Sequence, residues 1–360
     1  MEEVVALVCF KLNGGFEPQK LVLDSFRDDE LVVRMVATGG ITPAKFPFVG
    51  GHEGAGIVEQ VGSKISHIAP GDHVLLSFSS CEKCARCLNG IPAYCSKLFD
   101  INFKMARLDG TTAWHTPSDS VPIGSHFFGQ SSFATKIVAR GCSAVKVDKD
   151  IPLSILCSFG CGMQTGAGTV LNVLRPPTGS KIAIFGVGAV GMAGVMAARI
   201  TPAATIIAID IVETKLELAR HFGATNVINS ARQNPVEEIL RLTGELGVDC
   251  AFDATGNIDV IRAMLAATAP GGLAVTVGAS PTGTVIEIEP GMWLSKGVKY
   301  MGAHQGSSVP QKFIPLLIQF YKTGRFPVDQ IITKYPYQDI EKAHEDAASG
   351  NCIKAVIEWP

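Results

Sequence analysis

The feature that most constrains this chain lies at its centre. The stretch IAIFGVGAVGMAG carries the spacing G-x-G-x-x-G as Gly186, Gly188 and Gly191. Alone the pattern is weak. Here it follows an apolar run that predicts a short buried strand, Lys181–Phe185. It opens an Ala/Met-rich helix predicted from about Gly191 to Arg199. A second apolar run, TIIAID, then ends on an acid, Asp210. Strand, glycine turn, helix, strand and terminal carboxylate together are the fingerprint of a dinucleotide-binding βαβ unit. Gly186 permits the tight turn, Gly188 lets the backbone approach a pyrophosphate, and Gly191 lets the helix pack closely on the strand. The peptides of Val187, Ala189 and Val190 complete the cradle, where a helix N-terminus offers N–H groups and a positive dipole end to phosphates. Asp210 is expected to accept hydrogen bonds from the adenosine ribose. Its charge repels a 2′-phosphate, and Ile211 after it brings no compensating charge, so NAD(H) is favoured over NADP(H). Lys215, one turn into the next helix, is within reach of the same ribose and tempers that preference. The competing reading is a glycine-rich turn that binds nothing.

The alternation continues beyond Asp210. Helix VETKLELARHFG, strand NVIN, helix NPVEEILRLTG, strand CAFDAT, helix NIDVIRAMLAATA and strand GLAVTVGA follow in order. Such alternation predicts a doubly wound parallel sheet. Gly256, in DATG, is expected at a strand end near the nicotinamide half of the cofactor. After about Trp293 the alternation weakens to a helix (QKFIPLLIQFYKTG), a strand (ITKYPY), a helix (IEKAHEDAAS) and a last strand (IKAVIEW). The first 150 residues have a different texture. Short apolar runs such as VVALVCF, LVVRMVA and DHVLLSF, punctuated by Gly, Pro and Asp, predict a β-rich, barrel-like domain. With 360 residues, two domains are the better expectation.

An apolar fraction of 47% and a charged fraction of 18% supply a core and exclude global disorder. A net charge of −2 without a basic block argues against nucleic-acid binding. No apolar run is long enough to span a membrane, and MEEVV does not read as a signal peptide. The cytosol is the expected location, where the 10 cysteines stay reduced. Four of them, Cys81, Cys84, Cys87 and Cys95, lie in CEKCARCLNGIPAYC with C-x2-C-x2-C-x7-C spacing. Four thiolates on one lobe can close a tetrahedron around zinc with no open position, which is the signature of a structural site. An iron–sulfur or redox role, or cysteines without metal, are the alternatives.

Together these residues resemble the zinc-containing medium-chain alcohol dehydrogenases. The resemblance spans nearly the whole chain. It rests on GHEGAGIVEQVG (Gly51 to Gly62), PGDHV (Pro70 to Val74), the cysteine lobe, GCGMQTGAGTVLN (Gly160 to Asn172), FGVGAVG (Phe185 to Gly191) and DATG (Asp253 to Gly256). NFKMARLDG followed by FFGQSSFAT resembles the aryl- or benzyl-alcohol branch, including fungal biosynthetic dehydrogenases. The resemblance implies an α/β fold with two domains. A GroES-like β-barrel catalytic domain would take residues 1–162 with 299–360, and a Rossmann domain residues 163–298. It also implies a homodimer or homotetramer. By match of motif, His52 corresponds to the histidine on a catalytic zinc, Glu53 to the neighbouring carboxylate, and Cys161 to the cysteine ligand. Lys354 matches a basic residue that touches the cofactor's pyrophosphate. A neutral imidazole and a thiolate leave zinc Lewis-acidic, and bound zinc lowers the pKa of an alcohol. Hydride would then pass to the nicotinamide in the cleft between the domains.

The chain departs from the family in one place. Between ATG (Ala37 to Gly39) and GHEG, relatives carry a segment such as Cys-His-Thr-Asp and roughly twenty residues in all. Here the link is only GITPAKFPFVG and holds no cysteine. The missing piece would bring the third protein ligand of catalytic zinc and the Ser/Thr hydroxyl that relays the alcohol proton. Thr38 and Thr42 are nearby hydroxyls, but neither aligns with the relay. Three explanations stand: an omitted segment, a weakened site completed by Glu53, or a lost catalytic zinc. The chain is thus expected to be an NAD-dependent dehydrogenase or reductase with structural and catalytic zinc, acting on a small aromatic or ring-derived primary alcohol or aldehyde. The alternatives are a zinc-independent reductase of the same superfamily and a non-catalytic dinucleotide-binding protein.

Overall fold

The computed structural model describes residues 2–11, 14–39, 46–118 and 120–360. The chain divides into two compact units. The first comprises residues 1–161, 309–319 and 328–360; the second comprises residues 162–308 and 320–327.

The first unit begins with ten strands: β1 (Glu2–Cys9), β2 (Phe16–Leu23), β3 (Glu30–Thr38), β4 (Phe48–Val49), β5 (Ala55–Val61), β6 (His73–Leu76), β7 (Trp114–His115), β8 (Pro122–Ile123), β9 (Lys136–Arg140) and β10 (Ala144–Val147). One sheet runs β4-β1-β2-β7-β8. In the other, β10, β6, β5 and β3 are neighbours, and β9 pairs with the first half of β3. All of these pairings are antiparallel. Short strands with one buried face suit this arrangement. Leu7, Val33, Phe48, Leu76, Trp114 and Phe133 pack in the core.

The second unit holds β11 (Lys181–Phe185), β12 (Thr205–Asp210), β13 (Asn226–Asn229), β14 (Val248–Asp253), β15 (Thr268–Thr276) and β16 (Lys299–Gly302). They form one parallel sheet in the order β13-β12-β11-β14-β15-β16. The order reverses between β11 and β14, the switch point at which ligands bind beyond the carboxyl ends of strands. The inner strands are near-continuous apolar runs because both faces are covered: Ile206 to Ile209 of β12 are all buried. The crossover helices Pro235–Thr243 and Ile258–Ala267 start on Asn234 and Asn257. Each asparagine side chain accepts two backbone N–H groups of the first turn.

The chain then returns to the first unit as β17 (Ile332–Pro336) and β18 (Lys354–Glu358), which pair in parallel; β18 also pairs with Ala37 and Thr38 of β3. The expected α/β class, a β-rich domain with a doubly wound sheet, is therefore observed. The second unit extends to Ser308 rather than ending at 298, because β16 is its sixth strand. The segment that joins the two units is a broken helix. Residues Leu153–Leu156 and Gly162–Gly168 are helical, but Cys161 between them has φ −143° and ψ −73°. Among the described residues, no helix is long and apolar enough to cross a membrane.

Candidate dinucleotide and metal sites

The glycine turn connects β11 to the helix Ala189–Ile200. Gly186 takes φ +82°, a left-handed conformation that favours glycine, and a Cβ there would stand 2.5 Å from the Thr255 methyl. A Cβ on Gly191 would overlap the Gly186 carbonyl oxygen. Gly188 is different: a Cβ there would meet nothing within 4 Å, so the space above its backbone is open. This is the division of roles that the spacing predicts, with the open side where a pyrophosphate would approach. Asp210, at the end of β12, is half-buried. Its Oδ2 accepts from Val187 N at 2.8 Å; its Oδ1 accepts from Ile211 N at 2.8 Å and Val212 N at 3.0 Å. A cavity of about 460 Å³ opens beside it, lined by Gly186, Asp210, Ile211, Ser230, Thr255 and Asn257 among others. Gly256 takes φ +68° and lies where the carboxylate of buried Asp253 ties down the turn through Thr255, Gly256 and Thr276. Lys215 sits half-buried in the helix Glu213–Phe222 and does not line that cavity.

Cys81, Cys84, Cys87 and Cys95 converge in the first unit, with all four sulfurs within 4.8 Å of one another. The Cys81–Cys87 and Cys84–Cys87 sulfurs are 3.9 and 3.5 Å apart. A tetrahedron of Zn–S bonds about 2.3 Å long needs sulfurs about 3.8 Å apart, so the set fits zinc. Backbone N–H groups point at the sulfurs: Cys84 N donates to Cys81 Sγ at 3.3 Å, and Cys81 N to Cys95 Sγ at 3.3 Å. The backbone N–H groups of Ser96 and Cys87 hold the Cys84 thiol down to about 5, whereas burial pushes Cys95 up to about 12. A dication supplies the charge that lets all four act as thiolates.

His52 is buried in an aromatic setting. Its ring stacks on Phe128 at 4.7 Å and 28°, and meets Phe127 edge-on at 5.3 Å. Phe103 packs against Phe128 in turn, at 5.1 Å. Gln130 fixes the backbone here, donating to His52 O at 2.9 Å and accepting from Gly54 N at 2.9 Å. Glu53 does not join His52 and Cys161 in a ligand cluster. Among the described residues, the four lobe cysteines are the one group of three or more potential ligands close enough to share an ion. The Glu53 carboxylate, 1% exposed, is paired instead with the ammonium of Lys354. Burial would lower the Lys354 pKa, but Glu53, with the Cys157 and Cys161 thiols as further acidic neighbours, outweighs it and keeps the ammonium. Lys354 belongs to the first unit, is buried, and finds its counter-charge in a protein carboxylate. No third donor joins His52 and Cys161 in a ligand group among the described residues.

Other expectations resolve simply. Thr38 is buried with its hydroxyl 2.5 Å from that of Ser132, and Thr42 lies outside the described residues. His126 lines a small cavity of about 70 Å³ together with Arg27, Glu30 and Arg107. Its Nε2 is 3.1 Å from Glu30 Oε1 and its Nδ1 2.7 Å from Ser125 Oγ, while Arg107 Nε reaches the same Glu30 oxygen at 2.7 Å. Burial alone would push the Glu30 carboxyl up, but hydrogen bonds from His126 and Arg107 prevail and bring it down to about 2. His115 pairs with Asp24 at 3.0 Å. Sequence reasoning did not anticipate the stacking of Phe128 on His52 or the Glu53–Lys354 pair.

Comparison with known proteins accords with this architecture. The alcohol dehydrogenase GroES-like domain matches residues 27–149, and the zinc-binding dehydrogenase domain matches residues 189–323. Geraniol dehydrogenase of Castellaniella defragrans is 34% identical, over 98% of this chain and 96% of its own. S-(hydroxymethyl)glutathione dehydrogenase of Paracoccus denitrificans is 31% identical, over 98% of each. Among solved structures, benzyl alcohol dehydrogenase from Acinetobacter calcoaceticus superposes with a TM-score of 0.95 at 38% identity, covering 100% of both chains. An alcohol dehydrogenase zinc-binding domain protein from Burkholderia ambifaria gives 0.96 at 42%, covering 100% of this chain and 99% of that one. The chain belongs to the zinc-binding medium-chain alcohol dehydrogenase family, whose members are zinc-dependent oxidoreductases that use NAD(H). The alignment with geraniol dehydrogenase runs over 367 residues, longer than this 360-residue chain, so that relative carries residues with no counterpart here.

Proposed function

We propose that this chain moves hydride between NAD(H) and a small primary alcohol or aldehyde that carries an aromatic or other ring. In the oxidising direction the alcohol loses a hydride to NAD⁺ and a proton to solvent, giving aldehyde and NADH. The observation that carries the substrate class is the wall of Phe103, Phe127 and Phe128 around His52. Flat apolar surfaces of this kind favour an aromatic partner over a short aliphatic one. The similarity to a benzyl alcohol dehydrogenase supports a ring-bearing primary alcohol, and that to a geraniol dehydrogenase supports a primary alcohol. The preference for NAD(H) over NADP(H) follows from Asp210, whose charge stands at the cavity beside Gly186. In this reading His52, Glu53 and Cys161 form the reactive end, and Gly186 to Gly191, Asp210 and Gly256 hold the cofactor. The same reading makes the chain a cytosolic homodimer or homotetramer.

The test is steady-state turnover of benzyl alcohol and ethanol with NAD⁺ and with NADP⁺. A higher kcat/KM for benzyl alcohol than for ethanol, and for NAD⁺ than for NADP⁺, is expected. Equal or reversed ratios contradict the substrate or the cofactor assignment. A second reading, a dinucleotide-binding protein without turnover, is favoured by the link 40–50, which contains no Cys, His, Asp or Glu. Tight NADH binding with no turnover of any alcohol would select it.

A further inference from the structure

We infer that Gln164 is a positioning residue that presets the turn Gln305–Ser307 for the nicotinamide half of the dinucleotide. The inference rests on the reading of the second unit as an NAD(H) site. A doubly wound sheet binds the two halves of a dinucleotide on either side of its switch point, beyond the carboxyl ends of the strands. The glycine turn after β11 and Asp210 at the end of β12 lie on the adenosine side. The nicotinamide side is therefore the one formed by β14, β15 and β16. The chain leaves β16 at Ala303, whose N–H donates to Thr276 O at the end of β15 at 3.0 Å. Gln305, Gly306 and Ser307 then follow with φ of +51°, +61° and +49°. Left-handed backbone at two non-glycine residues is unfavourable by itself and persists only where the surroundings hold it.

Gln164 supplies the hold. It lies fully buried in the helix Gly162–Gly168. Its Nε2 donates to Gln305 Oε1 at 3.1 Å. Its Oε1 is 2.9 Å from Ser308 Oγ, which is also 2.7 Å from Gln305 O. One amide thus grips the turn at its first residue and just beyond its last. The backbones meet closely beside it. A Cβ on Gly306 would stand 2.5 Å from Gln164 O, and one on Gly168 would stand 2.6 Å from Gly306 O. Asn172 Nδ2 donates to Gly306 O at 3.1 Å. All of these partners belong to the second unit. Gln305 and Ser308 are buried as well, and a buried polar network whose members are paired fixes one conformation. A ligand that meets a turn already ordered loses less entropy on binding.

The experiment measures, by calorimetry, the dissociation constants of NADH and of ADP-ribose, which lacks the nicotinamide. The proteins are wild type, Gln164→Met, Gln305→Met, the double variant and Ser308→Ala. Gln164→Met is expected to weaken NADH roughly 10-fold, the scale of one lost hydrogen bond, and to leave ADP-ribose unchanged. The double variant should bind NADH no more weakly than Gln164→Met, because the two amides act as one unit. Ser308→Ala, the smaller change, decides the matter if Gln164→Met does not fold; it too should weaken NADH and spare ADP-ribose. A general loosening of the unit would weaken both ligands together. Equal losses for the two ligands, no loss for NADH, or losses that multiply in the double variant would each overturn the inference. A wild type that binds neither ligand would overturn the NAD(H) reading itself, and that result is visible before any variant is compared.

Discussion

Replacing Asp210 should change the ratio of cofactor preferences by a predictable amount. Two unit charges about 4 Å apart interact by about 4 kcal/mol at an effective dielectric near 20, and a ribose 2′-phosphate carries roughly −1.5 to −2. Asp210 is half-buried, so solvent screens part of this. About 2–3 kcal/mol of discrimination against NADP then remains, equivalent to about 30- to 150-fold. The side chain has a second duty, because it accepts the N–H groups of Val187, Ile211 and Val212. Asp210→Asn keeps one acceptor oxygen for Ile211 and Val212 but turns an N–H₂ toward Val187, which loosens the glycine turn for either cofactor. Asp210→Ser removes more of that support. Loosening weakens NAD⁺ and NADP⁺ together, whereas loss of charge changes only their ratio. The assay is kcat/KM for both cofactors in wild type and both variants, with melting temperature recorded alongside. An unchanged NADP/NAD ratio in a folded Asp210→Asn protein would refute the assignment of Asp210 as the discriminating charge.

Four other outcomes are expected. Cys81→Ser should lower the zinc content by one ion per chain and depress the melting temperature, with little effect on the chemistry of the folded fraction; normal melting with lost turnover would contradict a structural role. Arg107→Met should destabilise the first unit by about 3–5 kcal/mol in denaturant unfolding, because it strands a buried Glu30. In the wild type, Glu30 is lowered in the folded state from an ordinary 4.5 to about 2. Its contribution is therefore present above about pH 4.5 and is lost as pH falls from there through about 2. A wild-type stability that stays flat across that window would count against the triad. Insertion of a Cys-His-Thr-Asp-type segment after Gly39 should raise both second-metal content and turnover if a piece is missing; no change would mark a genuine divergence.

The second unit was largely legible because its physics is local. Strands buried on both faces appear as apolar runs, asparagine caps mark helix starts, and the glycine turn has its own spacing. β16 escaped because it is a short edge strand: Lys299, Met301 and Gly302 are exposed, so KYMG carries no apolar run. In the first unit, the cysteine lobe was legible for the same local reason. The surroundings of His52 were not. Glu53 and Lys354 are 301 residues apart, and Glu30 and Arg107 are 77 apart. Their pairings arise from where β18 and the segment after the lobe pack against the barrel, which no nearby residue announces. Phe128 stacks on His52 from a left-handed backbone (φ +52°), a conformation its sequence neighbourhood gives no reason to expect.

The four sulfurs of the lobe all come from one short stretch, Cys81 to Cys95, and the N–H groups that steady them lie within or just beyond it. Closing so small a loop costs little chain entropy. Once Lys97 has left the ribosome, every donor the cage needs is already outside, while neither β18 nor the dinucleotide unit yet exists. The cage is therefore able to take its metal before the rest of the fold exists.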